Sequence, residues 1–106
     1  MQSRLTGVDF KVTGEVWYWR GPSPFHFVTV PEDACMEIQA TASFVSYGWG
    51  MIPVVAQTGD TEWTTSLFPK DGLYIVPLKE SVRRAEGIEL GDTVTIHLIV
   101  SARRPT

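Results

Sequence analysis

A chain of 106 residues, 43% hydrophobic and 20% charged, has the composition of one ordinary globular domain, long enough to bury roughly 65% of its unfolded surface. Its formal net charge of -3 argues against a general nucleic-acid binder, which concentrates positive charge on one surface. The single cysteine, Cys35, excludes an internal disulfide; no apolar run reaches the roughly 18 residues of a membrane span, and MQSRLTGVDF lacks the apolar stretch of a secretory signal. A cytoplasmic location without a membrane partner is expected.

In FKVTGEVWYW, Phe10, Val12, Val16 and Tyr18 alternate with Lys11, Thr13, Glu15, Trp17 and Trp19, the period of a strand. Its second face is not plainly polar, because it carries two tryptophans. RGPSP (20–24) predicts a turn and FHFVTV the returning strand. Pro31 suits the first turn of a helix whose opening residues, Glu32 and Asp33, favour its positive end; that helix is expected to run to about Ser43. SYGWG (46–50) predicts a connector, MIPVVAQ a short strand and TGD (58–60) a turn. TEWTTSLF is the next strand, PKDG (69–72) the next turn and LYIVPL the strand after it. Residues 79–86 predict a short helix stopped by Gly87. DTVTIHLIV closes the fold, with Val94, Ile96, Leu98 and Val100 on one face, and ARRPT (102–106) is expected to be a frayed tail.

The order of these elements repeats. Trp17 and Trp63 lie 46 residues apart, and so do Pro31 and Pro77; EVWYW then aligns with TEWTT, and FVTVP with LYIVP. Two strand-strand-helix-strand units, residues 10–57 and 58–101, are expected to superpose about a pseudo-twofold axis.

GIELGDTVTI, a helix end followed by Gly-Asp and an alternating strand, resembles the swapped-hairpin half-barrel of transition-state regulators and antitoxin-type DNA binders over residues 74–100. A wider resemblance, carried by VTGEVW, FVTVPE, W-G-MIPV, TEWTTSLFP, YIVPLK, VRRAEG and GDTV, is to the bacterial and archaeal family labelled domain of unknown function 1905. The resemblance implies a mostly β, double-split pseudobarrel of two ββαβ units capped by two short helices. With both halves in one chain, a monomer or weak dimer is expected. Relatives often carry a second, helical domain linked to bacteriocin protection; none is expected within these residues.

No pattern in the sequence identifies a reaction. His26 and His97 have no ligand-spaced partners, so neither a metal nor another cofactor is expected. Cys35, between Ala34 and Met36, has no activating base near it in sequence and reads as a packed thiol. Ser66 is outside any G-x-S-x-G turn, and YGWG lacks the Lys-Ser/Thr of a phosphate loop. A binding role has more to support it: Lys79 and Arg83 are four residues apart, Ser66 lies on the preceding strand, and a small anion could sit among the three, with Trp17, Trp49 and Trp63 as an apolar wall. The competing account packs the tryptophans under the helices and pairs Lys79 and Arg83 with carboxylates. The preferred reading is a non-enzymatic binding or interaction module for an unknown small molecule or protein. The alternatives are a DNA-associated regulator, opposed by the acidic first helix (Glu32, Asp33, Glu37), and an unrecognised enzyme.

Overall fold

The computed structural model describes residues 7–42 and 51–101. Six strands, β1 (Gly7–Trp19), β2 (Phe25–Thr29), β3 (Ile52–Thr58), β4 (Thr61–Lys70), β5 (Leu73–Leu78) and β6 (Thr93–Ser101), form a closed antiparallel barrel in the order β1-β2-β5-β4-β3-β6. Helix α1 (Glu32–Ala42) follows β2, and α2 (Glu80–Glu86) follows β5. Because β2 and β5 run antiparallel to one another, the two helices lie at opposite ends of the barrel.

The period-two pattern selects the inside of the wall. Val12 and Val16 of β1, Val28 of β2, and Ile96, Leu98 and Val100 of β6 are all 2% exposed or less. Tyr18 continues the inner face of β1 but reaches the barrel mouth, where it is 41% exposed. Ile38 of α1 is fully buried, and Val82 of α2 with Ile88 just beyond it closes the other end. Burying each such aliphatic side chain contributes about 1.5–3 kcal/mol. The hairpins β1–β2, β3–β4 and β4–β5 pair neighbours in sequence, whereas β1–β6, β2–β5 and β3–β6 join remote strands and cannot be read from local pattern.

The helix ends follow the expected chemistry with small shifts. Cys35 N donates to Pro31 O at 2.9 Å, so Pro31 stands just before α1, and Asp33 Oδ1 accepts from Ala34 N. The predicted end at Ser43 lies outside the described residues, as do the connector at 46–50 and the tail at 102–106. α2 begins one residue later than expected, with Lys79 as its extended N-cap, and stops at Gly87 in the left-handed region (φ 65°).

Two expectations need correction. The turn expected at 69–72 is narrower: β4 continues through Pro69 and Lys70, leaving Asp71 and Gly72 as the turn. Tyr74 O accepts from Val30 N, so Tyr74 directs its polar backbone at β2. Its β4 partner Pro69 is therefore not called on to donate to β5, and a proline, which has no N–H, is tolerated there. The second correction concerns the 46-residue register. Exchanging β1, β2 and β3 for β4, β5 and β6 carries each pairing onto another pairing, but the residues do not correspond as expected. Trp17 pairs with Phe27 of β2, whereas Trp63 pairs with Ala56 of β3. Pro31 is exposed and follows β2, whereas Pro77 is buried inside β5. The unequal turns, 20–24 against 71–72, and the different strand lengths shift the register, so a single offset cannot hold.

Candidate functional site

Four consecutive strands of the wall, β1, β2, β5 and β4, carry apolar side chains on the face opposite the core. Phe25 and Phe27 look outward from β2, because Val28 between Phe27 and Thr29 is the inward residue. The Trp17 ring packs on Phe27 with centroids 5.3 Å apart, and its Nε1 donates to Thr29 Oγ1 at 2.9 Å. Phe27 in turn lies 5.7 Å from Phe25 and 6.4 Å from Phe68. Ile75 and Pro77, both buried, form the floor. The result is a groove of about 590 Å³ lined by Trp19, Phe25, Phe27, Phe68, Ile75 and Pro77 among others.

The rim is set by two local devices. Lys70 Nζ lies 5.3 Å from the Trp19 ring centroid and 3.2 Å from Asp71 Oδ2, so the ammonium covers one aromatic face while remaining at the surface. Gly21 lets the Trp19 indole fold back on the hairpin: a Cβ there would collide with the indole ring. Despite these contacts Trp19 is 42% exposed and Phe68 38%, so the groove presents aromatic surface to solvent.

The groove lies over a seam in the barrel. β4 and β5 are ladder-paired only from Phe68 to Lys70. Beyond that no ladder pair joins them, and a side chain of β4 reaches β5 instead: Trp63 Nε1 donates to Pro77 O at 3.2 Å. Pro77 has no N–H to offer β4, so the indole replaces a ladder bond with a side-chain one. Thr65 reaches the groove through this seam.

The residues expected to form an anion pocket are spread over the molecule. Trp17 backs the groove from behind Phe27, whereas Trp63 is 7% exposed and belongs to the core. Trp49 lies outside the described residues. Ser66 faces outward from β4 opposite Pro53, and among the described residues no hydrogen bond or ion pair joins it to Lys79 or Arg83. Lys79 precedes α2 rather than lying on it. Arg83 is half-buried, its Nε is enclosed without a hydrogen-bond partner, and neither Lys79 nor Arg83 pairs with a described carboxylate; the ion pair of α2 is Arg84–Glu80, 2.7 Å. An enclosed donor without an acceptor costs about 1–3 kcal/mol. Trp19, Phe25, Phe27 and Phe68 were not singled out by the sequence reading. The signal for Trp19, Phe25 and Phe27 is the apolar second face of β1 and β2, which alternation displays but does not assign to an interior or a groove; Phe68 comes from β4.

Cys35 takes a structural position. Its Sγ donates to Val30 O and accepts from Tyr74 N, both at 3.3 Å, which fastens α1 to β2 and β5. Burial pushes its pKa up, the bond from Tyr74 opposes this, and Asp33 and Glu32 add to the rise. The raised value means that its stabilising contribution is present below the ordinary thiol pKa and fades as pH rises through the folded one. With 5% exposure, native protein at about pH 8 is expected to react with a disulfide reagent only at its opening rate, independent of reagent concentration. Prompt stoichiometric labelling would show instead an accessible, reactive thiol. His97 lies 3.5 Å from Asp9 on the outer wall, and among the described residues no group of three His, Cys, Asp or Glu side chains is placed to hold a metal. No described helix is long and apolar enough to cross a membrane.

Fold and site together define a small helix-capped six-stranded barrel with an aromatic groove on its outer wall. A family model described as Domain of unknown function (DUF1905) matches residues 13–98. The chain belongs to that family. A search of curated proteins gives no match.

Proposed function

We propose that the protein is a non-enzymatic binding module whose outer groove takes a small organic ligand with a flat apolar body and an acidic group directed at Lys70. The observation that carries this reading is the solvent-facing array Trp19, Phe25, Phe27 and Phe68 on a wall whose core already lies on its other side. The barrel does not need these rings for closure, and a groove of about 590 Å³ falls within the range of pockets that enclose drug-sized molecules. Stacking on such rings contributes about 0.5–1.5 kcal/mol per contact beyond area burial. A ladder that closes within one chain supports a monomer or weak dimer.

Naphthoate is a suitable probe, followed by calorimetry. Saturable binding is expected, with affinity falling about tenfold or more in Phe68→Ala and in Trp19→Ala, since about 1.4 kcal/mol is a factor of ten. Lys70→Met should weaken naphthoate but leave the uncharged naphthyl alcohol unaffected. Equal naphthoate affinity in a Trp19→Ala/Phe68→Ala double variant would reject the groove as the site, and capture of a proline-rich peptide in its place would redirect the reading to a protein partner.

A further inference from the structure

At the barrel end beneath α2, Arg83 forms no ion pair among the described residues. Among the described residues, Arg83 Nε is the sole buried side-chain nitrogen or oxygen without a hydrogen-bond partner. The carboxylates of its own helix are committed elsewhere. Glu80 holds Arg84, and Glu86 Oε2 accepts from Asp60 N at 3.2 Å and from the Thr61 hydroxyl, tying α2 to the β3–β4 hairpin. Lys79, one residue before the helix, is exposed and also lacks an ion pair among the described residues.

His26 stands in the same corner. It pairs with Tyr18 on one side and Leu78 on the other, on the inner face that Val28 and Val76 define farther along the strands. Its ring centroid is 4.8 Å from that of Tyr18. Burial, and then the charge of Arg83, lower its pKa, which favours the neutral imidazole with one N–H and one lone pair. A half-buried guanidinium and an imidazole therefore stand close enough for their charges to interact, and no described carboxylate pairs with either.

We propose that this end of the barrel is an oxyanion-binding site, in which the Arg83 guanidinium takes two oxygens of a carboxylate or phosphate group, with His26 at its margin. The planar fork of arginine suits two-oxygen recognition, and the enclosed Nε, which has no acceptor here, gains one if a small shift of the side chain admits an oxyanion. The site is independent of the groove. Phe25, Phe27 and Pro77 look outward from the same strands from which His26 and Leu78 look inward, so either site can fail without the other.

Nitrogen-labelled protein titrated with inorganic phosphate and, separately, with acetate, against chloride at fixed ionic strength, tests this directly. The Arg83 Nε–H and His26 ring resonances are expected to shift saturably with phosphate, with acetate or with both, and not with chloride; which arm responds identifies the oxyanion. The same anion should raise the melting temperature of the wild type. Arg83→Gln should abolish both responses, and Arg84→Gln, which touches only the exposed pair with Glu80, should preserve them. In anion-free buffer Arg83→Met should melt no lower than the wild type, because it removes a donor that has no acceptor. Absence of a saturable shift with either oxyanion overturns the proposal. So does a lower melting temperature for Arg83→Met together with an anion-insensitive wild type, which would make Arg83 a structural cap.

Discussion

Replacing Trp63 with alanine is expected to remove about 3–5 kcal/mol of stability, a large share of the 5–15 kcal/mol available to a domain. Two losses add together. The side chain is 7% exposed and packs within the core, so truncation leaves a cavity under α2 as well as losing transfer energy. Its N–H also bridges the seam to Pro77 O, and that carbonyl has no ladder partner on β4 to replace it. Trp63→Phe separates the two contributions: it retains most of the ring and should still cost about 1–3 kcal/mol, the loss associated with an orphaned buried acceptor. Urea denaturation followed by circular dichroism gives both values. If Trp63→Phe leaves the midpoint unchanged, the indole bond is not what holds β4 to β5.

Gly14→Ala is expected to destabilise by about 1–2 kcal/mol, against the usual direction of a glycine-to-alanine change in a strand. Gly14 is paired with Val94 of β6, two residues before β1 begins its pairing with β2 at Val16. A Cβ at this position would stand 2.9 Å from Val28 Cγ1 and 3.0 Å from Thr29 O. Val28 is fully buried and cannot give way freely, so the overpacking cost of about 1–3 kcal/mol exceeds the 0.4–1 kcal/mol recovered from the unfolded chain. Because the nearest obstacle is a single methyl group, Gly14→Ala combined with Val28→Ala should be less destabilising than the sum of the two changes. Strict additivity in that cycle would contradict the steric account.

The candidate groove illustrates how far pattern reading reaches. Trp17 and Trp19 share one face of β1, and the alternation shows that they do, but Trp17 ends half-buried against Phe27 while Trp19 projects from the rim beside Lys70. Trp63, which the 46-residue spacing likened to Trp17, lies on the inner side of the wall. Lys79 and Arg83 share a spacing, yet the helix starts between them. Spacing fixes relative direction along one element; it is silent on what another element brings up to meet it.

Local chemistry alone determined the elements themselves: the turn residues, the Pro31 helix start, the Gly87 stop and the inward set of β6, where Ile96, Leu98 and Val100 alternate with more polar neighbours. Those signals are local because they rest on backbone preferences and on a side-chain period of two. Only the tertiary structure decided that β6 closes on β1 and β3 and that β2 lies beside β5, that the β4–β5 ladder ends at Phe68, that the second apolar face of β1 and β2 lines a groove, and that Arg83 is enclosed without an acceptor. Each of these depends on contacts between residues remote in sequence, where the free energy belongs to a pair of surfaces and neither segment encodes it alone.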